Sequence, residues 1–237
     1  MYKCFEQLTF YDKLFLIMRN LLLDLKIRKE LKRFQNFKRN YVFRQKEVKK
    51  VGEKYFCDGV CVRENDESDF VGETERFVNV GYKLHGALPK ILSNLFPYKF
   101  YFKGHILHSV ESFFQGIKFR NKRAQKLVFS LSGLDSNNIK AGQDYDWTAD
   151  KRVYFWGKAY KRDSKEYENL VDELYVSLLQ NPLFVDALKT VKSRHILHLL
   201  GEEDPSKTVF TRLEFEFELN CLKDYCLTNK KQFICFK

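Results

Sequence analysis

Residues 99–120, KFYFKGHILHSVESFFQGIKFR, constrain the fold more tightly than any other stretch of this chain. Lys99 to Phe102 and His105 to His108 read as short strands separated by Lys103-Gly104, which predicts a two-stranded ribbon with glycine in the turn. Ser109 suits an N-cap. Val110, Phe113, Phe114, Ile117, Ala124, Leu127 and Val128 then recur at helical spacing, predicting one helix over 110–129.

Two further segments supply helical scaffolding. A helix beginning near Ser164 places Tyr167, Leu170, Val171, Leu174, Leu178 and Leu179 on one face, until Asn181-Pro182 stops it and restarts a shorter helix through Phe184, Leu188 and Val191. This helical hairpin is the clearest core element. Near the C-terminus, Thr211-Arg212-Leu213-Glu214 fits a capping box, whereas Leu213, Phe215, Phe217 and Leu219 alternate as in a strand. The stripe Val209, Phe210, Leu213, Phe217 and Leu222 favours helix.

With 237 residues, 44% of them apolar, the chain can bury one substantial core and carry a smaller appendage. Its net charge of +11 is uneven: residues 1–56 hold 15 Lys and Arg against 6 Asp and Glu. The division expected is a basic amphipathic segment at 1–56, an acidic connection at 57–80, of which 62–75 looks solvated, and a main domain at 81–237. Tyr11 to Phe43 reads as one or two helices with Leu14, Ile17, Leu21, Leu22, Leu25, Leu31 and Phe34 on a stripe. Docking of that stripe on the main domain is the simplest reading; following a nucleic-acid backbone or lying on anionic lipid are the others.

The apolar run Leu14 to Leu25 is interrupted by Arg19, Asn20 and Asp24, so no membrane span is expected. The first residues lack signal-peptide features, and a cytoplasmic location with reduced thiols follows as the expectation. Cys57 and Cys61, or Cys221 and Cys226, suggest a split zinc site only weakly, because neither pair has the two-residue spacing of zinc modules. No metal and no cofactor are expected. The chain contains no Gly-x-Gly-x-x-Gly, no Gly-x4-Gly-Lys-[Ser/Thr] and no Gly-x-Ser-x-Gly, which removes support for nucleotide-dependent kinases and serine hydrolases.

The candidate chemistry lies on the helix after the hairpin. Steps of four and three put Glu111, Gln115 and Lys118 on one face. A carboxylate, an amide and an ammonium there can hold a ribose and handle a leaving base. Glu111, in the first helical turn and near Lys118, is expected to stay ionised. Lys118 is either a proton donor or, if desolvated, a nucleophile. Trp147 and Trp156, the only tryptophans, can stack on a base or fill the core, and Asp146 can hydrogen-bond a ribose or a base edge. Asn94 either contributes to the site or caps a turn. His105 and His108 fall on opposite faces of a strand. His195 and His198, on a possible helix, could share a face, with His198 expected as a packed or hydrogen-bonded histidine.

The stretches Leu92-Ser93-Asn94-Leu95-Phe96 and Ser109 to Phe119, then Asp146-Trp147, Trp156-Gly157, Asn181-Pro182 and Leu197-His198-Leu199-Leu200-Gly201 through Phe215, together resemble the NADAR domain family over roughly Gly81 to Tyr225. The resemblance implies a compact, mainly helical α+β domain. It also implies an N-glycosidase acting on an ADP-ribosylated guanine or on a phosphoribosyl aminopyrimidine of riboflavin biosynthesis. It places Glu111 and Lys118 in catalysis, and Asn94, Gln115, Asp146, Trp147, Trp156 and Gly157 around the substrate. One departure stands out: the late region reads HLLGEEDPSKTVFTRLEF, where many members carry a Trp-Gly-x-Gly loop.

The expected partner is therefore a ribose-phosphate or ADP-ribose conjugate, with nucleic acid reached through the basic residues 1–56. Two other classes compete. One is a non-catalytic module that binds ADP-ribose or nucleic acid through the same pocket; the other is a scaffold whose working part is the basic tether at 1–56.

Overall fold

In a computed structural model of the chain, residues 9–52, 54–63, 70–139 and 146–229 are described. A 30-residue helix, α1 (Phe10–Arg39), opens the fold under a Thr9–Asp12 capping box. A three-stranded antiparallel sheet follows, β1 (Val48–Val51), β2 (Lys54–Cys57) and β3 (Val60–Arg63). Strand β4 (Phe77–Asn79) then leads to a short helix, α2 (Ala87–Ile91), and to the hairpin of β5 (Phe100–Phe102) and β6 (His105–Leu107). The hairpin and its Lys103-Gly104 turn fall where the sequence placed them, with Gly104 at φ 86°.

The single helix expected over 110–129 is two, α3 (Val110–Gly116) and α4 (Lys122–Phe129). Asn121 causes the break: its Oδ1 accepts from the backbone N–H groups of Arg123 and Ala124 at 2.8 and 3.3 Å and starts α4 afresh. The turn between the helices is pinned by Gln125, which is fully buried. Its Nε2 donates to the carbonyls of Phe119 and Tyr154, each at 2.6 Å, and its Oε1 accepts from Trp156 N–H at 2.9 Å. Helix periodicity carries on through such a break, so the apolar spacing alone did not reveal it.

Two short helices, α5 (Gly133–Asn137) and α6 (Trp147–Asp150), precede the hairpin of β7 (Arg152–Phe155) and β8 (Lys158–Lys161). Helices α7 (Lys165–Leu178) and α8 (Pro182–Val191) form the expected helical hairpin, with Ser164 capping α7 and Pro182 opening α8. Residues His195–Leu197 form strand β9, parallel to β4, with Phe77 opposite His195 and Asn79 opposite Leu197. This corrects the helical placement of His195 and His198, because three residues along a strand put them on opposite sides. The last element among the described residues is α9 (Arg212–Thr228), whose Thr211–Glu214 capping box decides for helix over strand.

One apolar core joins α2, α3, α7, α8 and α9 with both hairpins, and includes Phe102, Phe113, Leu174, Leu188 and Leu222, all at most 1% exposed. The second half of α1 belongs to it through Phe34, which meets Tyr225 edge-on at 5.5 Å between ring centres. Lys38 bridges Asp172 of α7 and Glu218 of α9, and Tyr41 O–H donates to Asp224 at 2.9 Å. Docking therefore holds for Leu31 and Phe34 but not for the rest of the stripe: Leu14, Ile17, Leu21, Leu22 and Leu25 are exposed. Of the 62–75 stretch expected to be solvated, residues 64–69 lie outside the described residues, and Val62 is buried with Cys57, Phe77 and Leu197 in a satellite cluster. Phe70 pairs with Arg63, and Glu73 with Val78, through isolated bridges. No helix among the described residues is long and apolar enough to cross a membrane.

Candidate functional site

Helix α3 is set in place from its first residue. Ser109 Oγ accepts from Ser112 N–H at 2.9 Å, and Glu111 N–H donates to the Asn94 carbonyl at 2.9 Å. The Ser93-Asn94 turn and the start of α3 are thus one unit. Asn94 Oδ1 is itself held by Tyr175 O–H at 2.8 Å. Gly133 allows α5 to approach: a Cβ there would lie 2.2 Å from the Leu95 carbonyl oxygen, so only glycine lets the helix rest against that backbone.

Glu111, Gln115 and Lys118 form a line. Gln115 Nε2 donates to Glu111 Oε1 at 2.7 Å, and Lys118 Nζ donates to Gln115 Oε1 at 3.0 Å. Lys118 lies just beyond α3 in the turn toward Asn121, so the chain reversal as well as helical spacing brings it beside Gln115. Burial pushes the Glu111 carboxyl above its ordinary value, outweighing the downward pull of the Gln115 hydrogen bond and the Lys118 charge. Burial likewise lowers the Lys118 ammonium, against the upward pull of Glu111. The Lys118 charge favours the Glu111 carboxylate, as expected, but burial is the larger influence and sets the direction of the shift.

The trio lines a cavity of about 280 Å³ together with Asn94, Phe114, Asn137, His198, Glu202, Thr208, Phe210, Arg212 and Phe215. An adjoining cavity of about 290 Å³ shares Asn94, Glu111, Asn137 and His198 and continues past Gly81, Tyr82 and Leu200. Phe114 and Phe210 stack at 4.8 Å and 14°, giving the cavity a flat aromatic wall. His198 is placed by its ring contact with Phe215 at 4.6 Å and by Nδ1 lying 2.8 Å from the Val80 carbonyl. A carbonyl only accepts, so Nδ1 carries the proton and Nε2 is the acceptor of the neutral ring. Burial, with Arg212 nearby, lowers the His198 pKa and keeps that ring neutral. Arg212, the first residue of α9, adds a cation; its Nη2 meets Glu203 at 2.8 Å, while its buried Nε has no hydrogen-bond partner.

Four expected substrate residues do not line either cavity. Asp146 caps α6, its Oδ1 accepting from the Thr148 N–H and hydroxyl at 3.0 and 2.6 Å. Trp147 is 5% exposed in the core. Trp156 and Gly157 form the β7–β8 turn, both at positive φ, with the indole against His105 at 4.0 Å between ring centres. The structure thus brings together Asn94, Glu111, Gln115 and Lys118. It adds His198, Glu202, Phe210, Arg212 and Phe215, none of them expected as site residues. The signal for these was the resemblance through 197–215, together with the capping box that puts Arg212 at a helix start.

A larger cleft of about 600 Å³ lies between α1, α7 and α9. Most of its charges are already paired, Lys38 with Asp172 and Glu218, Lys165 with Glu168, and Glu214 with Arg162. It therefore offers a ligand less chemistry than the smaller cavity. Among the described residues, no group of three or more His, Cys, Asp or Glu side chains is placed to hold a metal ion.

The family described as bacteriophage protein GP30.3 matches residues 87–224, which span every element carrying this cavity except the Gly81–Tyr82 edge. The chain belongs to that family. It is 32% identical over 136 residues to an uncharacterized 17.1 kDa protein of the Gp30–rIII intergenic region of Enterobacteria phage T4, covering 56% of this chain and 88% of the relative. The NMR structure of the Escherichia coli protein YbiA is similar with a TM-score of 0.43 and 10% identity, covering 67% of this chain and 89% of that one. So distant a likeness carries no argument about the site.

Proposed function

We propose that the chain is an N-glycosidase that hydrolyses a ribose C1′–N bond, with an ADP-ribosylated guanine or a phosphoribosyl aminopyrimidine as substrate. The observation that carries this is the half-buried line of Glu111, Gln115 and Lys118 opening into a cavity with an aromatic wall and a cation. Breaking the bond builds positive charge on the sugar and negative charge on the departing base. Glu111 faces the sugar, steadies the oxocarbenium and takes a proton from the attacking water. Lys118 gives its proton to the nitrogen of the leaving base, a step favoured by its lowered pKa. Glu111, with a raised pKa, is a stronger base than an exposed carboxylate. The C1′–N bond breaks, a C1′–OH bond forms, and the two residues return to their starting protonation by exchange with solvent.

Gln115 orients both groups and offers ribose hydroxyls a donor and an acceptor. Phe114 and Phe210 suit a flat base, and Arg212 suits a phosphate. The test is release of free base from guanine-ADP-ribosylated DNA and from the ribosylated aminopyrimidine, followed by mass spectrometry in the presence of EDTA. Base release slowed at least a hundredfold in Glu111→Gln and in Lys118→Ala is the expected result. Full activity in both variants overturns the proposal, and tight binding without release favours a non-catalytic binding module.

A further inference from the structure

The first half of α1 carries two apolar faces. One turns toward the body through Leu16, Leu23 and Ile27; Leu23 and Ile27 are 4% and 2% exposed and pack with Tyr101, whose hydroxyl donates to Asp24 at 2.9 Å. The other presents Tyr11, Leu14, Met18, Leu21 and Leu25 to solvent, each between 42% and 79% exposed. These five are spaced three, four, three and four residues apart, the repeat of a coiled-coil seam. Phe15, Ile17 and Leu22 flank them, also more than half exposed. A helix apolar on two opposite faces needs two partners, and the described residues supply one.

We infer that this outer face is the interface of a homodimer, formed by packing the first half of α1 against its copy in a second chain about a two-fold axis. Charge favours a second copy over an anionic surface. Across residues 10–25 there are two acidic residues, Asp12 and Asp24, and two basic ones, Lys13 and Arg19. Two copies therefore meet without net repulsion, whereas the excess of Lys and Arg begins only at Lys26. The area also fits. Eight large apolar side chains exposing on the order of 100 Å² each give roughly 800 Å² per copy, close to one side of a standard protein interface. The segment runs roughly 24 Å, long enough for a two-heptad seam. Because the same patch serves both partners, the contact closes on itself and does not propagate into a filament.

The test is sedimentation velocity of the full chain, compared with the double variant Leu14→Glu and Leu21→Glu. Both substituted residues face away from the body, so far-UV circular dichroism should keep its helical signal and the melt its cooperativity, with the wild-type melting temperature alone rising with protein concentration. The wild type is expected at twice its 28.4 kDa mass, and the double variant at that mass up to roughly 50 µM. A monomeric wild type overturns the inference, as does a double variant that remains dimeric. A monomeric wild type that co-sediments with phosphatidylglycerol vesicles would assign the face to lipid.

Discussion

Replacing Lys38 with methionine should be among the most destabilising single changes on the surface of α1. The lysine side chain is 21% exposed, and it bridges Asp172 and Glu218, whose side chains are 5% and 2% exposed. Methionine keeps the aliphatic stem and removes only the charge, leaving two carboxylates side by side in a place that water barely reaches. Removing one partner of a buried ion pair costs about 3–5 kcal/mol. For a chain of this size that amounts to a fall in Tm of roughly 6–20 °C.

The loss depends on pH. Burial has already raised Glu218 to about 7, while Lys38 pulls it down. Without that pull Glu218 rises further. Between its unfolded value near 4.5 and the raised folded value, the folded state holds a proton that the unfolded state has released. Stability of the variant therefore increases as pH falls through that window. Thermal melts at pH 8 and pH 5 should show a larger deficit at pH 8, and adding Glu218→Gln should recover part of it. A deficit below about 1 kcal/mol at pH 8, or one independent of pH, would refute the reasoning.

Three further outcomes follow from the site. The profile of kcat/KM against pH should be bell-shaped, with its acid limb above 4.5 from Glu111 and its basic limb below 10.5 from Lys118; Glu111→Gln should remove the acid limb. Gly201→Ala places a Cβ 2.6 Å from His198 Cδ2 and 3.0 Å from Arg212 Cβ, so it should displace both side chains and cut kcat/KM by roughly tenfold, about 1.4 kcal/mol, with little change in Tm. Trp156→Ala should leave turnover within about twofold while costing about 1 kcal/mol of stability through the lost contact with His105, measured by urea denaturation.

What could be read from the sequence was whatever local chemistry decides. The Lys103-Gly104 turn, the Ser109 and Ser164 caps, the Asn181-Pro182 break and the Thr211–Glu214 box each lie within a few residues and appear where the spacing put them. What was missed depends on distant partners. Strands β4 and β9 have three residues each and are parallel, paired across more than a hundred residues of chain, so no alternation could announce them. The apolar spacing of 110–129 runs across the Asn121 cap, where a buried Gln125 ties the backbone of Phe119 to that of Tyr154 and Trp156, more than thirty residues further on.

The cavity divides in the same way. Glu111, Gln115 and Lys118 are neighbours in sequence, and their line was legible from spacing and from the family resemblance. Arg212 and Phe210 reach the cavity from the start of α9, and His198 from the end of β9, where β4 and the Val80 carbonyl hold it. Trp147 and Trp156 were attractive as base platforms for their flat rings and through the resemblance; the structure places one in the core and the other in a tight turn.

The central claim is that Glu111 and Lys118 together break a ribose C1′–N bond, and single-turnover base release from guanine-ADP-ribosylated DNA, monitored by mass spectrometry, tests it most directly. The account predicts time-dependent appearance of unmodified base with the wild type, and at least a hundredfold slower release, about 2.7 kcal/mol, in Glu111→Gln and in Lys118→Ala at unchanged Tm. Wild-type rates in both folded variants would contradict it.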